Sequence, residues 1–432
     1  MIKKLLFILL IAQNSHLFAQ TIKTDVLVIG GSPGGVAAAI QSARSKVKTA
    51  IVAENIHLTD DGRAGDMLII EPEANISSGI WAEFYKRVLE FKKSAGAKDT
   101  AYNAPLHFEK NTGEAILKKI ADTVKNLSVY FGASFTSIKK NGDFWEIKIT
   151  QNGKSIEVKA RVIIDATENG EVVEKAGAKL KRAFESDDSK GFELYRTSIA
   201  AGIISPNNNR RGSYWYVPMT GVLPIGVDNL LVTERILAGS NNIQYLPMQT
   251  AIGQGVGAMA AYCAFFKTST EKLRVRIIQG ELLDFKAYLL PLSDIPPADH
   301  YWRAFQQVCA TGLLKSVKQN GQFVFDPDAT VSTAEIEPTL KEIYTRAFLW
   351  FNKEKPGEKF TVANTLSLIS DYTLTDPLVL NARIKSDWKA RYKFTLDFDM
   401  KRPITRREFA VLANRYLNPF ARTVDLNGRL VN

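Results

Sequence analysis

The chain has 432 residues, of which 45% are hydrophobic and 23% are charged. This length suffices for one large domain and a second, smaller one, and the composition argues against a wholly disordered protein. The formal net charge is +11, but the basic residues are spread along the chain without a motif of nucleic-acid recognition. The charge therefore favours a solvated basic surface, and an acidic polysaccharide stays open as a partner.

Residues 1–19 have the features of a secretory signal peptide. Lys3 and Lys4 precede a short apolar run, and Leu17-Phe18-Ala19 is a suitable cleavage site. The apolar run is much shorter than the roughly 20 residues needed to cross a bilayer, and no later run is long enough. We expect an exported protein without a transmembrane anchor, located in the periplasm, at the cell surface or outside the cell.

The strongest local pattern begins with an apolar strand at residues 25–29, followed by Gly30-Gly31-Ser32-Pro33-Gly34-Gly35. A small-residue helix and a second apolar strand follow, and this strand ends at Glu54. Gly30 allows a tight turn, Ser32 is small enough for a diphosphate to approach, and Gly35 lets the helix lie close to the sheet. Because Glu54 is placed to bind an adenosine ribose, the pattern predicts a dinucleotide site for FAD or NAD rather than NADP.

Residues 127–164 carry a pattern of short antiparallel strands. Strands are predicted at 129–132, 134–139, 143–150 and 155–158, with hairpin turns at Asn141-Gly142 and Asn152-Gly153. A β-meander inserted into a dinucleotide-binding fold resembles flavoproteins of the glutathione-reductase type. The pattern therefore favours FAD and disfavours the alternative of an NAD-dependent dehydrogenase.

Two later segments return to the main fold. The strand at 160–165 ends in Ala166-Thr167, which resembles the second flavoprotein signature, where the backbone passes close to the cofactor. A further strand leads to Arg235, and a helix with many small residues then carries Gly253 and Gln254. We interpret the start of this helix as a flavin contact, with a tightly packed core helix as the alternative.

In this order, the motifs resemble the FAD-dependent oxidoreductase family of exported bacterial proteins, including a branch labelled xanthan-lyase-like. The resemblance covers residues 24–268 and includes Ser78-Gly79-Ile80-Trp81 and Ile164-Asp165-Ala166-Thr167. It implies an α/β, doubly wound FAD-binding domain of the Rossmann type over residues 21–285, with the β-meander inserted. It also implies that the flavin ring lies near Arg235 and the Gly253 helix, and accepts hydride from a small or carbohydrate-derived substrate.

Three features depart from the pattern of this family. Glu234 replaces the usual glycine before Arg235, Gly65-Asp66-Met67-Leu68 matches the loop after the ribose acid only loosely, and the segment between residues 182 and 214 is short. They favour an alternative, a non-catalytic envelope binding or scaffold protein that retains the flavoprotein fold. No catalytic residue is assigned: His57, Glu83 and Arg235 are candidates for a base or a cation, each with a structural alternative.

Cys263 and Cys309 are the two cysteines of the chain, and both lie in apolar segments. This setting predicts buried thiols and leaves a single disulfide open as the alternative. No cluster of Cys and His has the spacing of a metal site. We therefore expect no metal centre.

Residues 290–432 are predicted to form a small helical module. A helix at 303–311 ends at Gly312, and residues 325–336 align with residues 398–409 as an internal repeat. Both copies contain a capping box, Ser332 with Glu335 and Thr405 with Glu408. The repeat resembles the S-layer homology module, of which we count about two copies, and this resemblance implies binding to a cell-envelope polysaccharide. A helical domain packed against the flavoprotein, without a partner, is an equal alternative.

Overall fold

The computed structural model describes residues 21–59, 63, 65–71, 76, 78–96, 104–181, 194–204, 213–237, 242–319 and 322–431. The predicted signal peptide and most of the short segment between residues 182 and 214 lie outside these ranges. Within them, no helix is both long enough and apolar enough to cross a membrane.

The N-terminal part alternates short strands with helices. In chain order its first elements are β1 (Thr21–Lys23), β2 (Val26–Ile29), α1 (Pro33–Arg44), β3 (Thr49–Val52), β4 (Met67–Ile70), α2 (Gly79–Ser94), β5 (Leu106–Glu109), α3 (Lys110–Asp122) and β6 (Leu127–Tyr130). They are followed by β7 (Ala133–Asn141), β8 (Phe144–Gln151), β9 (Lys154–Ala160), β10 (Val162–Asp165), α4 (Glu171–Lys175), β11 (Ser198–Ile204), β12 (Ser213–Pro218), β13 (Leu230–Val232), α5 (Leu246–Phe265) and α6 (Val275–Asp284).

A parallel sheet with the strand order β13-β10-β2-β3-β6 forms the centre of this part. Every residue of β2, β3, β10 and β13 is buried, as expected for parallel strands that are covered on both faces. The carboxyl ends of these strands meet at one edge of the sheet. This confirms the predicted α/β fold and brings the glycine turn, Ala166 and Thr233 together at that edge.

The antiparallel sheet has the order β1-β9-β8-β7, with β1 parallel to β9. Asn152 and Gly153 have φ values of 50° and 73°, the backbone of a type I′ hairpin, which confirms the turn predicted there. The strand predicted at 129–132 was wrongly assigned to this meander. Residues Leu127–Tyr130 instead pair parallel with β3, because α3 precedes them and provides the crossover that a parallel strand requires.

The C-terminal part consists mainly of helices. Its elements are α7 (Trp302–Thr311), β14 (Val317–Gln319), β15 (Gln322–Val324), α8 (Thr333–Ile343), α9 (Thr345–Glu354), α10 (Val362–Thr373), α11 (Pro377–Ala390) and α12 (Arg406–Leu412). The predicted helix end at Gly312 is confirmed, since this residue is left-handed with φ 82°. The helix that begins after Ser332 ends at Ile343, because the backbone of Tyr344 is extended and separates α8 from α9.

Among the described residues of this part, three helices begin at an N-cap serine or threonine, and a buried apolar residue precedes each cap. The caps are Ser332, Thr361 and Thr405, and each side-chain oxygen accepts from the backbone N–H three residues later. The three segments are joined in pairs by isolated β-bridges, namely Thr330 with Thr405, Ser332 with Lys359, and Thr361 with Pro403. In the C-terminal ranges that the structure describes, three helix starts therefore share this cap, whereas the sequence repeat predicts two.

The helical part packs directly on the N-terminal part, and both contribute to one continuous apolar core. Arg196, which is only 3% exposed, donates to both carboxylate oxygens of Glu342 at 2.7 and 2.6 Å and to the carbonyl of Thr311 at 3.1 Å. Gln306 accepts from the backbone N–H groups of Leu289 and Leu290 at 2.9 and 3.0 Å. Buried polar groups of this kind fix how the two parts are joined, because each would be costly without its partner.

Candidate functional site

The glycine turn after β2 is packed against the end of β10. Gly30 has φ 117°, and a Cβ atom at this residue would lie 2.1 Å from the carbonyl oxygen of Ala166. A Cβ atom at Gly35 would lie 2.5 Å from the Cβ of Ala166. Both positions therefore require glycine for close approach of the backbone, and Ala166 is the residue that both approach.

Ser32 begins helix α1 as its N-cap. Its hydroxyl oxygen accepts from the backbone N–H of Gly35 at 3.0 Å, and Pro33 occupies the first turn, where its missing N–H costs nothing. The amino end of a helix carries unpaired N–H groups and a positive partial charge, so it attracts anions. The head of α1 therefore has the electrostatics expected of a diphosphate site.

In this structure the anion at the head of α1 is a side chain. The Ser32 hydroxyl donates to Oε1 of Glu234 at 2.5 Å, and a Cβ atom at Gly34 would lie 2.9 Å from the same oxygen. The carboxylate comes from the chain that leaves β13, where Thr233 N–H donates to the Asp165 carbonyl at 3.0 Å. Arg235 then turns left-handed at φ 59°, with its guanidinium 3.5 Å from the Asn169 carbonyl.

The groove beside Ser32 is small. Its cavity volume is about 40 Å³, whereas sites for cofactors commonly measure about 300 to 1,000 Å³. Its lining consists of Ser32, Pro33, His57, Leu58, Thr59, Glu168, Glu234, Arg235, Asn242 and Gln249. The residue types at the strand ends suit a dinucleotide, but the groove in this conformation does not accommodate one.

Glu54, predicted to bind the ribose, lies just beyond β3. Its side chain is exposed, while its backbone carbonyl accepts from Gly132 N–H at 3.0 Å. The chain that follows runs against the glycine turn, since a Cβ atom at Gly31 would lie 1.8 Å from the Asn55 carbonyl oxygen. Glu54 therefore shares the sheet edge with the turn, and its contact with a ribose stays a prediction.

Asp165, the last residue of β10, was not singled out by the sequence analysis. Its Oδ1 accepts from the backbone N–H and the hydroxyl of Thr167 at 2.9 and 2.6 Å, and its Oδ2 accepts from Val173 N–H at 2.9 Å. Burial raises the pKa of Asp165, although these hydrogen bonds act in the opposite direction. Asp165 therefore holds the Ala166-Thr167 turn in shape, and its signal in the sequence was an acid at the end of an apolar strand.

Gly253 and Gln254, predicted to contact the cofactor, lie two turns inside α5. A Cβ atom at Gly253 would lie 2.0 Å from the Gly34 carbonyl oxygen, so this glycine lets α5 cross α1. The Gln254 amide accepts from Ile80 N–H at 3.1 Å and donates to Gln41 at 3.0 Å, fully buried. Both residues belong to a tightly packed core helix, the alternative considered for this segment, and their contact with a cofactor stays a prediction.

The candidates for a base or a cation fall in two places. His57 and Arg235 line the groove, with Nε2 of His57 3.6 Å from Oε1 of Glu168. Glu83 instead pairs with Arg44 at 2.7 Å and Arg87 at 3.1 Å, at the end of α1 opposite the glycine turn. Glu83 is therefore a structural residue, whereas Glu168, Asn242 and Gln249 are groove residues that the sequence analysis did not propose.

Cys263 and Cys309 are both buried and both carry free thiols. Burial raises the pKa of each thiol to about 12. The structure thus has the buried thiols that the sequence predicts, and not the disulfide left open as the alternative.

Residues 25–194 match a family model described as FAD dependent oxidoreductase. The match covers less than half of the chain, and it includes the glycine turn, Glu54 and the Ala166-Thr167 turn. This part of the chain is similar to the FAD-dependent oxidoreductase family. The protein is an oxidoreductase with FAD as its cofactor, and the match supports this class over an NAD-dependent dehydrogenase. A search of the curated proteins found no match.

Among solved structures, the fold is similar to p-nitrophenol 4-monooxygenase PnpA from Pseudomonas putida DLL-E4, with a TM-score of 0.36 and 12% identity over 62% of this chain and 87% of that chain. THI4 from Thermovibrio ammonificans gives a TM-score of 0.32 and 13% identity over 60% of this chain and 95% of that chain. The flavin-dependent monooxygenase PieE, in complex with FAD and substrate, gives a TM-score of 0.28 and 16% identity. The match covers 38% of this chain and 33% of that chain. This chain therefore spans about a third of PieE.

Proposed function

We propose that this protein is an exported FAD-dependent oxidoreductase that oxidises a small or carbohydrate-derived substrate. The observation that carries the proposal is the meeting of three features at one sheet edge: the capped helix head at Ser32, the Ala166-Thr167 turn and the exposed carboxylate of Glu54. When bound, FAD supplies an acceptor for hydride from a substrate C–H bond.

Purification of the mature protein and analysis of its bound flavin test this proposal. We expect the flavin absorbance spectrum, release of FAD on denaturation, and bleaching of that spectrum when a suitable sugar, alcohol or amine is added without oxygen. Dithionite serves as the control that shows the flavin to be reducible. If dithionite bleaches the flavin but no sugar, alcohol or amine does, the proposed substrate class is contradicted.

Export is supported by the signal-peptide pattern of residues 1–19. We expect cleavage before Gln20, so that the protein from the periplasm, cell surface or medium begins at this residue. N-terminal sequencing of the protein from each cell fraction measures this. A chain that keeps Met1 and stays in the cytoplasm would contradict export.

We further propose that the C-terminal helical part binds a cell-envelope polysaccharide. The proposal is supported by the S-layer homology resemblance of the repeat and by the three capped helix starts, which are joined to one another by β-bridges. Cosedimentation of the full chain with isolated cell walls tests it, and a fraction that pellets only with the walls is expected. A chain that stays in the supernatant would favour a helical part that serves only to pack against the flavoprotein.

A further inference from the structure

Glu234 lies where the cofactor's diphosphate is expected. Its Oε1 accepts from the Ser32 hydroxyl at 2.5 Å, while that hydroxyl accepts from Gly35 N–H at 3.0 Å. A relay of two hydrogen bonds therefore connects the carboxylate to the amino end of α1. The carboxylate also approaches Gly34 closely, the second residue after the cap.

A carboxylate gains from this position for the same reason that a phosphate would. The amino end of a helix has a partial positive charge that stabilises an anion close to it. Two anions cannot share the position without strong repulsion, because unit charges a few ångströms apart in a partly buried site interact strongly. The carboxylate and a diphosphate therefore compete for one helix head.

The shape of the groove leads to the same conclusion. The side chain of Glu234 is part of the lining of a cavity of only about 40 Å³. Glycine, the usual residue of the family at this position, would add neither charge nor volume there. The backbone on both sides is anchored, by Thr233 N–H to the Asp165 carbonyl and by the left-handed turn at Arg235, so the side chain is directed into the groove.

We propose that Glu234 is a built-in competitor of the FAD diphosphate. In the FAD-free protein its carboxylate binds the head of α1, and FAD binds only when this side chain leaves Ser32. The residue therefore weakens FAD binding. This inference rests on the proposed location of FAD at the glycine turn.

Titration of the FAD-free protein with FAD, followed by quenching of flavin fluorescence, tests the competition. Glu234→Gln removes the charge and keeps the shape, and Glu234→Gly also removes the volume. The matched control is Glu271→Gln, which removes one exposed carboxylate next to Thr270. Because Thr270 N–H donates to Asn229 at the amino end of β13, Glu271 lies at the opposite edge of the sheet.

We expect both Glu234 variants to bind FAD with a Kd at least about ten-fold lower than the unchanged protein, which corresponds to about 1.4 kcal/mol. The control variant should stay within about two-fold of the unchanged protein, since its charge is remote and screened. An equal Kd for the unchanged protein and Glu234→Gln would overturn the inference and leave the FAD site in place. If none of the four proteins binds FAD, the proposed site itself fails, and the inference fails with it.

A structure of the unchanged protein with FAD gives an independent test that needs no variant. We expect the Ser32 hydroxyl to have lost its hydrogen bond to Glu234, with the carboxylate turned out of the groove. FAD bound while the Ser32–Glu234 hydrogen bond persists would overturn the inference.

Discussion

Ser32 has two roles, since its hydroxyl accepts from Gly35 N–H as the cap of α1 and donates to Glu234. The first role was predictable from the sequence, because serine before Pro33 is a usual helix start. The second was not, since Ser32 and Glu234 are 202 residues apart in the chain and meet only through the order of β2, β10 and β13. The same long-range contact explains why the sequence indicated a cofactor site but not a closed groove.

Replacement of Ser32 by alanine should lower the stability of the FAD-free protein. We expect a loss of about 0.5 to 2 kcal/mol in the free energy of unfolding, because the cap and the bond to Glu234 are both removed. Urea denaturation measures this. Ser155→Ala, at an exposed position of β9, should change stability by less than about 0.5 kcal/mol. If Ser32→Ala lowers the free energy of unfolding no more than Ser155→Ala does, the cap contributes nothing to stability.

The two thiols give a second prediction at this scale. Burial raises the pKa of Cys263 and of Cys309 to about 12, so very little thiolate forms at pH 8, and neither sulfur is accessible. In the native protein we expect no rapid reaction with a thiol-specific disulfide reagent. After unfolding in denaturant without reductant, both thiols should react. If the unfolded protein shows no reactive thiol, the two cysteines form the disulfide that the structure lacks.

At the scale of elements, the sequence predicted those strands, helices and turns that depend on neighbouring residues alone. The succession of β2, α1 and β3 follows from two apolar runs around a glycine turn, and the I′ turn at Asn152-Gly153 follows from two residues that tolerate positive φ. The direction of β6 could not be predicted from its own residues, because it depends on α3 before it. The middle cap, Thr361, was missed because Asn364 replaces the glutamate of the other two copies, and because the spacing of the caps is unequal.

The middle cap should contribute to stability as the other two do. Thr361→Ala removes the acceptor of Asn364 N–H, and we expect a loss of about 1 kcal/mol in the free energy of unfolding. Thr405→Ala should cost a similar amount, whereas the exposed Thr423→Ala should be close to neutral. Denaturant unfolding of the three variants measures this. A neutral Thr361→Ala beside a costly Thr405→Ala would contradict the equivalence of the three helix starts.

At the scale of the whole molecule, the flavoprotein part and the helical part are joined by buried polar contacts as well as by apolar ones. Arg196 has an almost fully buried side chain, while its partner Glu342 has a side chain that is 39% exposed. The predicted boundary between residues 285 and 290 falls after α6 and before α7, and the contacts of Arg196 with Thr311 and Glu342 cross it. Composition and periodicity predicted the two parts, but they do not reveal contacts between distant segments.

Glu342→Gln should weaken this connection. Arg196 would stay buried with a neutral partner in place of a carboxylate, and we expect a loss of about 1 to 3 kcal/mol in the free energy of unfolding. Glu337→Gln, on the same helix, should cost less than about 0.5 kcal/mol, because among the described residues Glu337 pairs with Lys341 one turn later. Equal losses for the two variants would show that Arg196 does not need the charge of Glu342.

The central claim is that one FAD binds with its diphosphate at the head of α1, and the stoichiometry of FAD on the Glu234→Gln variant tests it most directly. Because this change leaves the glycine turn intact and removes the competing charge, equilibrium dialysis against FAD should give one FAD for each chain. A second substitution in this variant, Gly30→Ala, should abolish the binding, because the alanine Cβ atom would collide with the Ala166 carbonyl and distort the turn. A folded Glu234→Gln protein that binds no FAD would contradict this claim. The claim would also be contradicted if the double variant Glu234→Gln, Gly30→Ala bound as much FAD as Glu234→Gln alone.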